Sequence, residues 1–305
     1  MVKKALLVGI NKYPKADDRL LGCVNDVLAM QGVLTEIFQY ATSDLKILLD
    51  RDATKQNIVN GLKWLAEGGA EAAVRVFHYA GHGHSLPDDN EEDEDGTDEA
   101  LVPYDYEQKR NIIDDELKVI YKSFPAASNL TLIMDCCHSG SIQRRSTKKK
   151  ATYRFVPNTH KERLAIAAAR KKFREKRRQE AFAKVLASSR GRSVSDEEIK
   201  QRVFAEWQKY EKQPFGGNYN LREGNILLAA CRSTELATDA KIGRKNHGAF
   251  TYYLTENLRK TRGKIVYADL IKKTGQAMHD HGFDDQVPQL ECDPGKEKAK
   301  MLAVF

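Results

Sequence analysis

The sequence predicts an α/β fold: a mainly parallel β-sheet flanked by helices on both faces. Apolar, β-branched runs alternate along the chain with segments of helical periodicity, an order typical of a parallel sheet. The runs Arg75–Tyr79 and Leu130–Met134 are mostly or wholly apolar, as expected of strands covered on both faces. The first run is followed within a few residues by His82 and glycines, and the second by Cys137, a histidine and a glycine. Because functional residues gather at the carboxyl ends of parallel strands, these two ends form the candidate site.

The elements before residue 140 follow from local patterns. Short apolar runs predict strands, and apolar residues spaced three and four apart predict helices. In chain order we predict a strand at Lys4–Ile10, helices at Gly22–Gln39 and Thr54–Leu65, strands at Arg75–Tyr79 and Ala100–Pro103, a helix at Asp114–Tyr121 and a strand at Leu130–Met134. Thr54 serves as a helix cap. The stretch from 85 to 99 is too acidic to be packed.

The pattern breaks after Gly140. Residues 141–223 carry 23 Lys and Arg against 9 Asp and Glu, about +14, whereas the whole chain carries +7. We predict two helices in this segment, then a strand at 225–230, helices at 249–258 and 267–278, and a last strand at 301–305. One domain is therefore expected in three parts: 1–140 as its large part, 141–223 as a basic helical insert, and 224–305 as its small part.

Composition excludes several classes of protein. A chain of 305 residues that is 41% hydrophobic can bury a substantial core, so it is neither disordered nor fibrous. The apolar stretch Ala5–Ile10 is too short for a signal sequence or a membrane span. The five cysteines are an odd number without paired spacing, which favours free thiols in a reducing compartment. We expect a soluble, cytoplasmic protein.

One histidine and one cysteine stand at the two strand ends. Cys137 could serve as a thiol nucleophile if a base such as His82 lies nearby. The unhindered N–H of Gly83, together with the N–H of Cys137, could stabilise an oxyanion. The alternative is that His82 is a turn histidine and Cys137 an inert core thiol. The residue types alone leave both interpretations open.

Several motifs carry a family resemblance. They are Tyr79-Ala80-Gly81-His82-Gly83, Asp135-Cys136-Cys137-His138-Ser139-Gly140, Gly9-Ile10-Asn11-Lys12-Tyr13, Leu21-Gly22-Cys23-Val24-Asn25-Asp26, Asp98-Glu99-Ala100-Leu101-Val102-Pro103, Ile113-Asp114-Asp115-Glu116-Leu117 and Ala229-Ala230-Cys231-Arg232. In combination they resemble the metacaspases, caspase-like cysteine peptidases of clan CD. The likeness covers about residues 3–142 and 224–260, and the basic insert lies outside it.

The resemblance implies a caspase-hemoglobinase-like fold, with Cys137 as nucleophile, His82 as base, and the N–H groups of Gly83 and Cys137 around the oxyanion. Parts 1–140 and 224–305 then correspond to the large and small parts of a caspase-like domain. Successive residues of a strand point to opposite faces, so we expect Cys136 to be a core thiol. For the same reason we rank His138 below His82 as the base.

The resemblance also implies an acidic pocket for the substrate residue before the scissile bond, P1. Asp26 and Asp135 match the pocket positions, beside Cys23. Paired carboxylates in a confined pocket favour an arginine or lysine side chain and repel an aspartate. The alternative for Asp26 is an ordinary carboxylate on a helix surface.

Metal binding is a separate question. Asp98, Asp114 and Asp115 match a calcium site of the family in type and spacing, and Ca²⁺ prefers oxygen ligands. The chemistry requires no cofactor, so calcium is expected only as an activator. Arg144 weakens this expectation because some calcium-dependent relatives have an acidic residue there. A zinc site from His82, His84, Cys136, Cys137 and His138 lacks the paired spacing that zinc sites show.

The basic insert has three interpretations. It could be a regulatory linker that the enzyme itself cuts, with candidate processing residues Arg144, Arg145, Lys148, Lys149 and Lys150. It could bind nucleic acid, although no recognised motif is present. It could also be a solvated helical hairpin.

The function that these features favour is a cysteine endopeptidase that cuts after Arg or Lys, activated by processing in the insert, by calcium, or by both. We expect a monomer that acts on protein substrates and has no membrane partner. A regulatory protein is a further candidate partner. The alternative is a catalytically silent scaffold that binds a protein or nucleic acid through the insert.

Overall fold

The computed structural model describes residues 2–68, 73–87, 97–108, 110–125, 128–137, 152–189, 195–211, 224–232 and 235–303. Within them the strands are β1 (Val2–Gly9), β2 (Leu45–Leu49), β3 (Ala73–Ala80), β4 (Gly83–Pro87), β5 (Thr97–Leu101), β6 (Ile112–Ile113), β7 (Ser128–Asp135), β8 (Thr152–Tyr153), β9 (Ile226–Ala229), β10 (Thr238–Ile242), β11 (Lys245–Gly248) and β12 (Gln289–Cys292). The α-helices are α1 (Cys23–Glu36), α2 (Lys55–Ala66), α3 (Asp114–Lys122), α4 (His160–Ser188), α5 (Asp196–Glu211), α6 (Ala249–Thr261) and α7 (Tyr267–Asp280).

The largest sheet confirms the predicted α/β class. In the described part of the chain its strand order is β12-β9-β7-β3-β1-β2. All neighbours are parallel except β12, which pairs antiparallel with β9. The other described strands form two three-stranded sheets, β11-β10-β8 and β4-β5-β6.

The register of the central strands brings the carboxyl ends of β1, β3 and β7 to one edge of the sheet. Gly9 of β1 pairs with Ala80 of β3, and Ala80 pairs with Asp135 of β7. The segments that leave these strands therefore start side by side. His82 follows β3 by two residues and Cys137 follows β7 by two, so the register carries both to the same edge.

The core has one layer on each face of the sheet because the side chains of a strand alternate. On β1, Ala5 and Leu7 pack with one apolar cluster, and Leu6 and Val8 pack with the other. Helices α1, α6 and α7 contribute to the first cluster, and α2 and α3 to the second. Both faces of the central strands are thus covered, which explains their almost continuous apolar sequence.

The chain divides into two compact units. The first comprises Met1–His84, Glu99–Pro157 and Gly217–Phe305, and the second comprises Ser85–Asp98 and Asn158–Gly216. Residues 152–157 of the predicted insert thus belong to the first unit. In the second, α4 begins with a capping box: the Thr159 hydroxyl accepts from the Glu162 N–H at 3.2 Å, and the Glu162 carboxylate accepts from the Thr159 N–H at 2.7 Å. No helix of the described residues is both long and apolar enough to cross a bilayer.

The prediction of a last strand at 301–305 is wrong for the described residues of that stretch. Met301 and Leu302 form a turn, and Leu302 has a left-handed backbone with φ 55°. Their apolar side chains are buried in the first core cluster, so burial and not strand formation explains the apolar pattern. The edge strand is instead β12, whose mixed sequence Gln-Leu-Glu-Cys gives a weak strand signal.

Candidate active site

His82 is held at the sheet edge by two tyrosine hydroxyls. The Tyr13 hydroxyl accepts from the His82 N–H at 2.9 Å, and the Tyr79 hydroxyl donates to the His82 carbonyl at 2.8 Å. A side chain on Gly81 would collide with both hydroxyls. Glycine before the histidine therefore gives the tyrosines room to fix the turn.

The imidazole of His82 is oriented by a backbone carbonyl. Its Nε2 lies 2.7 Å from the carbonyl oxygen of Asp18, and since a carbonyl only accepts, Nε2 carries the proton. Nδ1 then bears the lone pair, and it has no hydrogen-bond partner among the described residues. Burial lowers the pKa of His82 to about 4, although the carbonyls of Asp18 and Arg154 oppose this effect. At neutral pH the ring is a neutral base.

The backbone of Asp18 is held in place through a hydrogen bond of the Asp18 side chain. The Tyr106 hydroxyl donates to the Asp18 carboxylate, and the rings of Tyr106 and Tyr13 meet edge to face at 5.8 Å. The loop that carries the Asp18 carbonyl is thereby tied to the tyrosines that hold His82. This carbonyl is a positioning group that the sequence analysis did not identify, because a main-chain oxygen leaves no residue-type signal.

Cys137 and Cys136 lie on opposite sides of the sheet. Cys137 packs in the first core cluster and Cys136 in the second. The Cys137 sulfur accepts from the Ala237 N–H at 2.7 Å and lies 3.5 Å from the Ala237 carbonyl oxygen. Cys231 is close by: a hydrogen bond with the Cys137 side chain, and then burial, raise the pKa of the Cys231 thiol.

The N–H groups of Gly83 and Cys137 converge on one oxygen atom. Each donates to the carbonyl of Arg154 at 3.1 Å. His82 directly precedes Gly83 in the chain, so the two residues that carry the imidazole and the thiol both lie beside this carbonyl. Two N–H donors at this distance on a carbonyl oxygen have the geometry of an oxyanion hole.

The side chain of Arg154 occupies an acidic pocket and is fully buried. Its Nη2 lies 2.5 Å from Asp26 Oδ2 and 3.8 Å from Asp239 Oδ2, and its Nη1 lies 3.1 Å from Asp135 Oδ1. Asp26 is itself fully buried on α1, so it is not a helix-surface carboxylate. The sequence analysis singled out Asp26 and Asp135 but not Asp239.

The carboxylates of Asp26 and Asp135 are fixed by groups at the start of α6 and in the residues just before it. Asp26 accepts from the Gly248 N–H at 2.9 Å, and its Oδ1 lies 3.0 Å from His247 Nδ1. Asp135 accepts from the Thr251 N–H at 3.0 Å and from its hydroxyl at 2.6 Å. A Cβ on Gly248 would collide with Asp135 and with the Arg154 guanidinium. Glycine at 248 therefore leaves the space that the cation fills.

In this pocket the positive charge of Arg154 and the negative charges of the carboxylates compensate each other. Burial opposes the charge of Arg154, but Asp135, Asp26 and Asp239 together raise the pKa of its guanidinium above the ordinary value. Burial raises the pKa of Asp135, and the Arg154 charge counteracts that rise. Burial also raises the pKa of the Cys23 thiol. Buried charges that are paired in this way are costly to separate.

The backbone on both sides of Arg154 is bound as an extended strand. Before it, Tyr153 and Thr152 of β8 pair antiparallel with β10, and the Arg154 N–H donates to the Ala237 carbonyl at 3.0 Å. After it, the Val156 N–H donates to the Gly83 carbonyl at 3.1 Å. The segment therefore crosses the site as a bound peptide does in strand addition.

The predicted calcium ligands Asp98, Asp114 and Asp115 stay a prediction. Within the described part of the chain no group of three or more His, Cys, Asp or Glu side chains is arranged to hold a metal ion, and His138 of the zinc alternative lies outside that part. Asp115 lies 2.7 Å from Lys118 Nζ, and Asp114 is buried at the start of α3.

Some predicted residues lie outside the described part of the chain. They are His138 and the candidate processing residues Arg144, Arg145, Lys148, Lys149 and Lys150. The basic residue that lies in the pocket is Arg154, which the sequence analysis counted only in the charge of the insert. Tyr153 and Phe155 flank Arg154 and form a short apolar break in the basic segment. This break is the signal in the sequence that distinguishes Arg154 from the other basic residues.

Fold and site together define a caspase-like α/β protein with a thiol and an imidazole at neighbouring strand ends. Among solved structures, a protein from Geobacter sulfurreducens matches all of this chain and all of its own with a TM-score of 0.65 at 21% identity. Caspase-1 from Spodoptera frugiperda matches with a TM-score of 0.50 at 11% identity, over 95% of this chain and 86% of its own. These likenesses show the fold.

The family match lies in the amino-terminal part. Residues 3–144 match the metacaspase, peptidase C14 domain. Metacaspase-1 of Coccidioides immitis is 39% identical over 146 residues, which is 46% of this chain and 31% of that protein. Metacaspase-1 of Schizosaccharomyces pombe is 37% identical over 145 residues, 45% of this chain and 34% of that protein. The resemblance to metacaspases is confirmed for residues 3–144, the part of the chain that matches the metacaspase domain. The chain covers about a third of the length of these relatives.

Proposed function

We propose that this protein is a cysteine endopeptidase that cuts peptide bonds after arginine, and more slowly after lysine. One observation carries the proposal: the Arg154 carbonyl accepts from the N–H groups of Gly83 and Cys137 while its guanidinium lies among acidic side chains. A P1 residue of a peptide substrate needs both of these contacts, one for catalysis and one for selection.

In the proposed mechanism the Cys137 sulfur attacks the P1 carbonyl carbon after His82 Nδ1 takes the thiol proton. The N–H groups of Gly83 and Cys137 stabilise the negative charge that develops on the carbonyl oxygen. His82 then protonates the leaving nitrogen, and the carbon–nitrogen bond breaks to give a thioester. A water molecule, deprotonated by His82, hydrolyses the thioester and restores the thiol. The Asp18 carbonyl keeps the imidazole in the tautomer that these steps need.

The pocket favours arginine for reasons of shape and charge. Its carboxylates approach both terminal nitrogens of a guanidinium, Asp26 at Nη2 and Asp135 at Nη1. The planar fork of arginine matches two acceptors, whereas the ammonium of lysine is a point charge on a different stem. An aspartate at P1 would bring a fourth negative charge beside Asp26, Asp135 and Asp239 and would be rejected.

Paired fluorogenic peptides test the proposal. One carries P1 arginine and the other P1 citrulline, which has the same shape without the charge. We expect wild-type protein to hydrolyse the arginine peptide at least about 100-fold faster, since an unpaired charged pocket costs several kcal/mol, and we expect Cys137→Ala to hydrolyse neither. Absence of Cys137-dependent turnover under all conditions would favour the silent scaffold.

Further expectations rest on the sequence alone. Calcium activation is tested by comparing hydrolysis of the arginine peptide in Ca²⁺ and in EGTA. A monomeric state is tested by sedimentation, and a cytoplasmic location by fractionation. Binding of nucleic acid by the insert predicts a steep salt dependence. The proposed peptidase does not depend on any of these outcomes.

A further inference from the structure

The segment around Arg154 runs through the candidate active site on both sides of one peptide bond. Tyr153 pairs with Thr238 of β10, and Phe155 forms a bridge with Gly83. Between them, the Arg154 carbonyl receives the two N–H donors, Gly83 and Cys137. A peptide bond with residues bound on each side and a polarised carbonyl has the arrangement of a scissile bond.

We propose that the peptide bond between Arg154 and Phe155 is a processing site that the chain cuts within its own molecule. We also propose that residues 152–156 exclude other substrates until that cut. The inference rests on the proposed peptidase function and adds to it the bond and its regulatory effect. It differs from the processing residues Arg144, Arg145 and Lys148–Lys150 expected from the sequence.

The residues before the bond are recognised by backbone and by charge. The pairs Thr238 with Tyr153 and Asp239 with Thr152 fix the register of the segment on β10. Arg154 donates its N–H to Ala237 and buries its guanidinium completely. Because side chains alternate along a strand, a shift of one residue would remove the cation from the pocket. The register therefore selects Arg154 alone in this segment.

The residues after the bond are held as well. The Val156 N–H donates to the Gly83 carbonyl at 3.1 Å, and His84 Nδ1 lies 3.0 Å from the Val156 carbonyl oxygen. The Phe155 ring lies 6.1 Å from the His84 ring and is half-buried. These contacts fix the departing amine next to the His82 and Gly83 turn, where a proton donor is needed.

Occupation of the site also explains how the segment excludes other substrates. The Cys137 side chain and the Arg154 side chain are both 0% exposed. A second arginine cannot enter the pocket while Arg154 fills it. A tethered segment competes at a high effective concentration because it pays no cost of association. The uncut chain should therefore be inactive toward added peptides.

The chemical step is the proposed mechanism applied to this bond. The Cys137 sulfur bonds to the Arg154 carbonyl carbon, the bond from that carbon to the Phe155 nitrogen breaks, and His82 transfers the thiol proton to the nitrogen. Water then cleaves the thioester. The products are a carboxylate at Arg154, an amine at Phe155 and a regenerated thiol, and no oxidant or other co-reactant takes part.

Intact mass and amino-terminal sequencing of the purified chain test the site. We expect wild-type protein to yield a fragment that begins at Phe155, and Cys137→Ala to lack it. Cleavage within one molecule is first order, so the fraction cut per unit time should not change over a 100-fold dilution. A rate that falls with dilution, or a new terminus within 145–151 and none at Phe155, would overturn the proposal.

Variants at Arg154 test recognition of the bond. Arg154→Lys keeps a cation and should be cut at the same bond at least tenfold more slowly, whereas Arg154→Gln should stay intact. Arg163→Gln, which removes a positive charge from α4, is the matched control and should be cut like wild type. Cleavage of Arg154→Gln at Phe155 at the wild-type rate contradicts the inference.

A pair of uncut variants tests the exclusion of other substrates. Phe155→Pro keeps Arg154 for the pocket but replaces the departing amide with one that has no N–H, so it should stay uncut and occupied. Arg154→Gln should stay uncut with an unfilled pocket. We expect Arg154→Gln to hydrolyse the P1-arginine peptide at least 100-fold faster than Phe155→Pro. Equal rates would refute the exclusion, and thermal melting verifies that each variant is folded.

Different results would refute the proposed function and the processing site. If wild type and Arg154→Gln both leave the arginine peptide uncut, while Arg154→Lys is folded and equally inactive, the proposed function fails. If Arg154→Gln hydrolyses that peptide and wild type never shows a Phe155 terminus, the processing site alone is refuted.

Discussion

Arg154 is a fully buried cation whose stability depends on the acids around it. Asp26 makes the shortest contact, at 2.5 Å, and is itself fully buried. Removing one partner of a buried ion pair costs about 3–5 kcal/mol, mostly because the other charge loses its compensation. The same reasoning applies to the P1 arginine of any peptide that replaces Arg154.

Asp26→Asn should therefore weaken selection for arginine. We expect kcat/KM for the P1-arginine peptide to fall roughly 100- to 1000-fold, corresponding to about 3–4 kcal/mol. Hydrolysis of the citrulline peptide should change much less. Asp269→Asn, an exposed carboxylate on α7, is the control for a loss of charge. Equal losses with both peptides would mean that Asp26 supports the fold but does not select the substrate.

Tyr13 tests the positioning of His82. Its hydroxyl accepts from the His82 N–H, so Tyr13→Phe leaves this buried N–H unsatisfied, whereas the Val102 carbonyl keeps the Tyr79 hydroxyl as a partner. A lost acceptor of this kind costs about 1–3 kcal/mol. We expect kcat for the arginine peptide to fall about tenfold or more with KM nearly unchanged. A change confined to KM would place Tyr13 in substrate binding instead.

At the scale of elements, the site depends on a glycine at the start of α6. Gly248 lies opposite the Arg154 guanidinium and donates its N–H to Asp26. Because a methyl group there would occupy the space of the guanidinium, Gly248→Ala should raise KM for the arginine peptide by about tenfold or more. Gly275→Ala on α7, where a methyl group meets only ordinary contacts, is the control. An unchanged KM in Gly248→Ala would show that the pocket is elsewhere.

The elements differ in how far the sequence could predict them. β1, β3 and β7 were predicted because strands buried on both faces have continuous apolar sequences. β8 was not, because two residues in a basic segment carry no periodicity. The turn around His82 and the end of β7 were found through residue types that thiol chemistry requires. The roles of Asp18, Arg154 and Asp239 could not be found in this way, because they come from tertiary contacts. Asp18 acts through its carbonyl, Arg154 is a buried cation, and Asp239 is a carboxylate on β10.

At the scale of the whole molecule, buried histidines make stability depend on pH. Burial lowers the pKa of His78 to about 4 from 6.5, so between these values the unfolded chain binds the proton and the folded chain does not. Stability is then complete above pH 6.5 and is lost as the pH falls toward 4. From pH 7 to pH 5 this one group costs about 2 kcal/mol.

His78→Gln should reduce that loss. The amide of glutamine retains a polar contact for Thr251, whose hydroxyl oxygen lies 3.3 Å from His78 Nε2, and it does not titrate. Urea unfolding at pH 7 and pH 5 measures the difference. We expect the variant to lose about 2 kcal/mol less than wild type over this interval. The same loss in both proteins would show that His78 is protonated in the folded state at pH 5.

The central claim is that Cys137 attacks a carbonyl whose arginine side chain lies between Asp26 and Asp135. A peptidyl chloromethyl ketone with P1 arginine, and its citrulline counterpart, test the claim most directly when each is incubated with Arg154→Gln and the labelled residue is located by peptide mass spectrometry. We expect one adduct, on Cys137, with the arginine probe and at least about 100-fold slower labelling with the citrulline probe. Labelling of Cys136 or Cys231 in place of Cys137, or equal rates with the two probes, would contradict it.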